Sequence, residues 1–303
     1  MPVPLAYFGV ILIWITTPLA IAWSVDAAGV TFGVSSRMLL GTILAFLFSM
    51  LMRSQIVWHR NAILAYIYGG LGIYTSMLIV YWASQFIPSG WVSLLFGLTP
   101  IFSAIMATFW LQGELITKPR VLGALVGFLG LSVIFGSSLS LHESALLGVL
   151  GVLLSGILHS ASAIWVKRVN AHVSAISMTV GSLLVATPLF FLTWLYTQPG
   201  LEETLQTLSN APNYALIAII YLALFGSVFG FSLYFFVLKR VDATRVALIS
   251  LVTPITSLFL GYYLNNETIT VNVVIGAGFI ISGLAIFELG GKPLPKWVPF
   301  RPN

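Results

Sequence analysis

Ten apolar segments, each about twenty residues long, occupy almost the whole of this chain. Twenty residues of α-helix are long enough to cross the hydrocarbon core of a bilayer, which is roughly 30 Å thick. Because 59% of the residues are hydrophobic and 7% are charged, a soluble fold would expose far too much apolar surface to water. The sequence therefore predicts an all-α integral membrane protein. Its ten predicted transmembrane helices lie near residues 4–23, 31–52, 62–86, 89–111, 119–137, 145–166, 173–196, 214–238, 244–264 and 271–289.

The Lys and Arg residues predict how these helices are oriented. Twelve of the thirteen lie in every second gap between segments or in the C-terminal tail, and Arg37 is the exception. Cytoplasmic loops of membrane proteins carry an excess of Lys and Arg, so both termini are predicted to be cytoplasmic. The first segment is expected to be retained, since no basic region precedes it. This bias also explains the net charge of +5, so no nucleic-acid partner is needed to account for it.

A duplicated block divides the chain into two halves. The stretch Leu98-Thr-Pro-Ile-Phe-Ser-Ala through Gly-Glu114 recurs as Val252-Thr-Pro-Ile-Thr-Ser-Leu through Asn-Glu267. Each half holds five predicted helices, and because five is odd the halves are predicted to insert with opposite orientations. Such inverted repeats are common in secondary transporters, whose site lies near the midplane where the halves meet. The predicted parts are a first five-helix repeat at 1–140, a second at 141–290 and a cytoplasmic tail at 291–303.

Taken together, these features resemble one family. The chain is similar, over essentially its full length, to bacterial ten-helix members of the drug/metabolite transporter superfamily of the EamA type. The resemblance is carried by Trp14, by Phe32-Gly-Val-Ser-Ser-Arg37, and by the two Thr-Pro to Glu blocks. It implies an inner-membrane secondary transporter that exports small polar or amphipathic metabolites, without a cofactor, by alternating access through a central cavity. The resemblance does not fix the substrate. Amino acids or their derivatives are the first expectation, with drugs, polyamines and nucleotide-related metabolites as alternatives.

Arg37 is the one basic residue that the topology places on the outer side of the membrane, in the first turns of the second helix. A charge inside the bilayer is costly, but a long side chain near a helix end can extend to the interface. Two interpretations stay open. In one, Arg37 snorkels or pairs with another helix. In the other, its planar guanidinium grips a substrate carboxylate or gates the outer vestibule.

A polar stripe is predicted on the sixth helix, where His159, Ser162 and Trp165 recur at spacings of three. Intramembrane histidines usually face the protein interior or a watery cavity. A structural hydrogen bond between helices is one account of His159. Cavity lining with proton sensitivity is the other, because an unperturbed imidazole titrates at about pH 6.5.

Most Trp and Tyr residues are explained by the aromatic belts at membrane interfaces. Some lie deeper or beside polar neighbours, and these are predicted to line a cavity that suits an amino acid or a similar amphipathic molecule. Core packing is the alternative for each tyrosine. The cavity candidates outside the polar stripe are Trp14, Thr17, Arg37, Tyr74, Tyr81, Tyr221 and Tyr234.

Four prolines interrupt apolar segments, where each removes a backbone hydrogen bond and kinks the helix. Pro18 and Pro188 are interpreted as packed kinks. Pro100 and Pro254 occupy equivalent positions in the two halves. For this pair a gating hinge and a packed kink both stay open.

Other function classes are disfavoured by motifs that the sequence lacks. There is no cysteine, no His-Glu-x-x-His and no Gly-x-Ser-x-Gly, so neither an intramembrane enzyme nor a metal site is predicted. The chain has no Walker-type phosphate loop, and the only acid inside a segment is Glu288. The expected partners are a small-molecule substrate, membrane lipid and, under proton exchange through His159, protons. Facilitated diffusion is the alternative coupling, and both a monomer and a homodimer stay open.

Overall fold

The computed structural model describes residues 3–111, 117–141, 144–198, 200–238 and 243–289. Every regular element within these residues is helical. In chain order the elements are α1 (Val3–Val25), α2 (Val30–Leu51), α3 (Arg60–Ala83), α4 (Ser89–Phe96), α5 (Thr99–Trp110), α6 (Lys118–Leu141), α7 (Ala145–Val169), α8 (Ala175–Thr197), α9 (Leu201–Ser209), α10 (Asn213–Tyr221), a π-helical segment (Leu222–Phe229), α11 (Gly230–Leu238), α12 (Ala243–Asn265) and α13 (Val271–Leu289). The predicted tail 291–303, Glu114, and the basic gap at Lys239 and Arg240 lie outside the described residues.

By length and composition, seven helical stretches of the described chain can cross a membrane, and α13 contributes a shorter apolar helix, Val271–Phe287. Many large apolar side chains on these helices are exposed at the outside of the bundle, for example Phe109 and Ile217. A lipid environment accommodates such a surface, whereas water does not. The stretches are Val3–Val25, Val30–Leu51, Arg60–Ala83, Ser89–Trp110, Ala145–Val169, Ala175–Thr197 and Asn213–Tyr234.

The fourth apolar segment is two helices joined end to end. Helix α4 ends at Phe96, and α5 begins at Thr99 with Pro100 in its first turn. Because proline has no backbone N–H, the carbonyl of Phe96 loses its helical partner four residues ahead. The other three prolines singled out by the sequence behave differently, since Pro18, Pro188 and Pro254 lie inside continuous helices.

The eighth apolar segment contains a π-helical turn that the sequence analysis does not predict. Residues Leu222–Phe229 form this turn between α10 and α11, and the N–H of Gly230 donates to the carbonyl of Phe225. A π turn widens the helix by one residue per turn, and such turns are frequent at functional sites. This turn packs mainly against α2.

Glycines set the contact between α6 and α13. A Cβ added to Gly283 would lie 2.6 Å from the carbonyl oxygen of Gly123 and also close to the N–H of Gly127. A Cβ added to Gly130 would lie 2.5 Å from the carbonyl oxygen of Gly276. These two helices therefore approach backbone to backbone, which is the packing that small residues permit in membranes.

Helix α4 occupies the centre of the bundle. All residues from Ser89 to Leu95 are buried, and the helix packs against α12, α7 and α1. A Cβ added to Gly90 would lie 2.8 Å from the Cα of Leu258 in α12. The short helix before the break is therefore held between the two halves of the chain.

Candidate functional site

Arg37 lies inside the protein, at the junction of α2, α3 and the π-helical segment. Its side chain is 2% exposed. Its Nε donates to the hydroxyl of Ser227 at 3.2 Å and its Nη1 donates to the hydroxyl of Tyr81 at 3.4 Å. The guanidinium carbon also lies 6.0 Å from the centre of the Tyr81 ring. The structure thus brings together two of the predicted cavity residues, Arg37 and Tyr81, and directs Arg37 inward.

Two residues that the sequence analysis does not single out as site residues complete this arrangement. Ser227 supplies a hydroxyl, and Gly226 lies so near that an added Cβ would sit 3.0 Å from Nη2 of Arg37. The one sequence signal here is the small-residue spacing Gly226-xxx-Gly230, which predicts close helix packing rather than a site. Both residues belong to the π turn, so their position depends on tertiary structure.

A second group of predicted residues lies between α1 and the eighth span. The rings of Trp14 and Tyr234 are 5.1 Å apart. The Tyr221 hydroxyl lies 2.5 Å from the hydroxyl of Thr16, which the sequence analysis does not select. The next residue after Thr16 is Thr17, whose hydroxyl donates to the carbonyl of Ile13 in the same helix. Hence Trp14, Tyr221 and Tyr234 share one interface, and the Thr17 hydroxyl bonds within its own helix.

A third group joins α7 to α3. The hydroxyl of Ser162 donates to the carbonyl of Tyr68 at 2.8 Å, against Gly72, where a Cβ would collide with the serine. The ring of Trp165 lies 5.4 Å from the ring of Tyr68, and the guanidinium of Arg168 stands 4.8 Å over Trp165. Ser162 therefore contributes to helix packing, and Trp165 lies beside the basic end of α7.

The two remaining candidates contact different elements. His159 is half-buried, with its ring 6.0 Å from the ring of Phe96 at the end of α4. The Tyr74 hydroxyl lies 2.7 Å from that of Thr193 in α8, and its ring is 5.0 Å from Phe190. Along the predicted stripe, His159 thus contacts α4, whereas Ser162 and Trp165 both contact Tyr68 of α3.

Glu267 links the two halves at the first turn of α4. Its Oε1 accepts from the backbone N–H of Ser89 at 2.9 Å, and its Oε2 accepts from that of Gly90 at 3.3 Å. Asn265 donates to the same carboxylate at 2.9 Å and accepts from the indole N–H of Trp23 at 2.9 Å. A carboxylate is favourable here because the first N–H groups of a helix lack partners and carry positive charge.

The prolines of the duplicated block meet near the break in the fourth span. A Cβ added to Gly97, which lies in the break, would be 3.4 Å from Cγ of Pro254 in α12. Pro100 begins α5 just beyond that break. The two prolines are therefore placed differently, because Pro100 lies at the start of α5 and Pro254 lies in the interior of α12, which packs against α4.

We expect Pro100→Ala and Pro254→Ala each to slow transport several-fold if these prolines permit bending between the halves. Alanine would restore a backbone N–H at each position and favour a straighter, stiffer helix. Flux would be measured in liposomes, with Pro188→Ala as the matched control because Pro188 lies inside α8 but outside the duplicated Thr-Pro block. Unchanged rates in both variants would remove the hinge interpretation.

An apolar groove of about 170 Å³ lies between α5, α6 and α13 and contains none of the predicted site residues. Within the described part of the chain no three His, Asp or Glu residues cluster in a way that would hold a metal ion.

The family model of the EamA-like transporter family matches this chain twice, over residues 2–136 and 146–289. The chain belongs to the EamA-like transporter family. Named relatives agree with this membership. This family member is 28% identical over 255 residues to an uncharacterized transporter, YoaV, of Bacillus subtilis. The aligned region covers 82% of this chain and 83% of the relative.

Two further relatives of this family member are described by substrate. A probable amino-acid metabolite efflux pump of Salmonella typhimurium is 25% identical over 206 residues, covering 67% of this chain and 68% of the relative. A probable terminal-alkyne amino-acid exporter of Streptantibioticus cattleyicolor is 23% identical, covering 73% and 71%. A solved crystal structure shares the fold with a TM-score of 0.67 at 19% identity, covering 95% of this chain and 97% of its own.

Proposed function

We propose that this EamA-family transporter exports small amphipathic metabolites, with amino acids and their derivatives as the first class, by alternating access between two inverted halves. The observation that carries this proposal is the family membership of both halves of the chain. The substrate class is supported by the descriptions of the Salmonella and Streptantibioticus relatives.

The pattern of helix contacts supports the inverted repeat. The halves compared are 1–140 and 141–290. When each helix is replaced by its counterpart in the other half, every main helix–helix contact becomes a contact that the structure has. The packing of α1 against α10 and α11 corresponds to that of α7 against α3, and the packing of α2 against the π segment corresponds to that of α8 against α3. The α4–α12, α6–α13 and α2–α8 contacts map onto themselves. A pseudo-twofold relation between the halves would produce this pattern, and with five spans in each half the axis would lie in the membrane plane.

Single residues fit the same symmetry. Tyr68 is the ninth residue of α3 and Tyr221 is the ninth residue of α10. The backbone carbonyl of Tyr68 accepts from Ser162 of α7, and the hydroxyl of Tyr221 bonds to that of Thr16 of α1. With ten spans and cytoplasmic termini in the inner membrane, these two contacts lie at opposite sides of the bilayer. They form equivalent links at the inner and outer ends of the proposed pathway.

Transport in this scheme follows from movement of one half against the other. The rings of Trp14, Tyr74, Tyr221 and Tyr234 give apolar walls with hydroxyl groups, and His159 stands at the end of the central helix α4. Such walls suit an amphipathic solute. Proton exchange through His159 and facilitated diffusion are distinguished by whether flux responds to an imposed pH gradient.

A survey of excreted metabolites tests this function without a prior choice of substrate. Cells that overproduce the protein should accumulate one or a few amino acids or derivatives in the medium, measured by mass spectrometry. Cells that overproduce the Glu267→Gln variant to the same membrane level are the matched control and should accumulate less. Accumulation of drugs, polyamines or nucleotide-related compounds alone would replace the proposed substrate class.

A further inference from the structure

We propose that Arg37, with Tyr81 and Ser227, forms a carboxylate-binding subsite in the centre of the protein. This inference deepens the proposed function, since it assigns the acidic group of the substrate to a particular side chain. It rests on charge, hydrogen bonding and position, which are independent of the descriptions of relatives.

Among the residues that the structure describes, the guanidinium of Arg37 is a buried charge without a counter-charge. Its side chain is 2% exposed, and within the described residues no carboxylate pairs with it. The hydroxyls of Tyr81 and Ser227 are neutral partners. A buried cation is costly unless it is paired, and intramembrane cations characteristically mark substrate or ion pathways. An anionic group of a ligand would supply the missing charge.

The hydrogen bonds leave part of the guanidinium available. The bonds from Nε to Ser227 and from Nη1 to Tyr81 measure 3.2 and 3.4 Å, longer than the usual 2.9–3.0 Å for N–H donors. Nη2 donates no hydrogen bond to the described residues. It lies beside Gly226, where an added Cβ would be 3.0 Å from Nη2. A carboxylate that binds through both Nη atoms would use the fork geometry that arginine favours.

The subsite lies where the two halves meet. Arg37 and Tyr81 belong to the first half, whereas Ser227 belongs to the π turn of the second. Ser227 is the fifteenth residue of a span that begins at Asn213, so it lies about 20 Å along the helix axis from that first residue. That depth is well inside a hydrocarbon core of roughly 30 Å. Relative movement of the halves would therefore change the contacts around a bound carboxylate.

A binding measurement with three matched probes tests the subsite without requiring transport. The probes are L-phenylalanine, phenylacetate and phenethylamine, of which the last lacks a carboxylate. Thermal unfolding of the purified protein in detergent would be followed at increasing probe concentration. We expect the two carboxylates to raise the melting temperature of the wild type, and Arg37→Gln to weaken this binding about tenfold or more, as expected for a charge-assisted pair. Phenethylamine should act equally on both proteins.

A second variant keeps the test decisive if Arg37→Gln does not fold. Gly226→Ala retains the arginine but places a methyl group 3.0 Å from Nη2, and it should also remove stabilisation by the carboxylates. Gly278→Ala is the control, because no atom lies within 4 Å of its added Cβ. Carboxylate stabilisation that persists in Arg37→Gln or in Gly226→Ala, or that is missing from the wild type, would overturn the subsite. Because this measurement needs no flux, a chain that binds carboxylates but exports none would contradict only the proposed function.

Discussion

Replacing Gly283 by alanine is expected to destabilise the protein, whereas the same replacement five residues earlier in α13, at Gly278, is not. The new Cβ at Gly283 would lie 2.6 Å from the carbonyl oxygen of Gly123 and close to the N–H of Gly127. These are backbone atoms of α6, so a side-chain rotation cannot relieve the contact. At Gly278 the new Cβ meets nothing within 4 Å.

The two variants should therefore differ in their free energy of unfolding. Overpacking typically costs about 1–3 kcal/mol, which we expect for Gly283→Ala. Alanine in an open helix position is favoured over glycine by about 1 kcal/mol, so Gly278→Ala should be neutral or stabilising. Reversible unfolding in mixed detergent micelles, followed by circular dichroism, measures both. Equal unfolding free energies for the two variants would contradict backbone-to-backbone packing of α6 on α13.

Under the proposed topology, which places the loop before α13 on the outer side, replacing Glu267 by glutamine is expected to open the outer side of the transporter. The carboxylate accepts from two N–H groups of α4 and from Asn265, and it joins the last loop to a helix of the first half. Glutamine removes the charge and turns one acceptor into a donor, which then faces an N–H group. Charge-assisted hydrogen bonds contribute about 1.5–3 kcal/mol, so the open population should rise about tenfold or more.

The absence of cysteine from the chain allows this opening to be measured directly. Ser93 lies in the second turn of α4 and is 7% exposed. A Ser93→Cys substitution should react slowly with a membrane-impermeant maleimide, and faster by a similar factor when Glu267→Gln is added. Glu202→Gln removes an exposed acid in the first turn of α9 and serves as the control. Equal labelling rates with Glu267→Gln and Glu202→Gln would show that Glu267 does not hold the outer side closed.

The positions of the long helices could be predicted from the sequence because bilayer thickness fixes the length of an apolar segment. Proline removes a backbone hydrogen bond, so an interruption was predicted at Pro100, where the structure has a break. The same signal occurs at Pro18, Pro188 and Pro254, which lie inside continuous helices. The short helix α9 escaped prediction because it is amphipathic and lies in an acidic gap. The π turn escaped because apolar composition is the same for both kinds of helix. The two kinds of helix differ in hydrogen bonding, as in the bond from the Gly230 N–H to the carbonyl of Phe225, five residues earlier.

Side-chain partners were the least predictable part of the site. Arg37 lies in the third turn of α2, from which a long side chain can extend either to the interface or to the interior. Local sequence therefore left both interpretations open. Glu267 binds N–H groups of residues 178 and 177 positions away, and such a contact leaves no trace in the surrounding sequence. The residues of the stripe share a helix face, but His159 contacts α4 whereas Ser162 and Trp165 contact α3.

Flux through purified protein tests the transport function most directly. Liposomes would be loaded with a mixture of amino acids, and the release of each would be followed by mass spectrometry at several protein densities. We expect at least one amino acid to leave at a rate proportional to the amount of protein, with slower release through Glu267→Gln. Release no faster than from protein-free liposomes, for amino acids and equally for polyamines, drugs and nucleotide-related metabolites, would contradict a transport function for this chain.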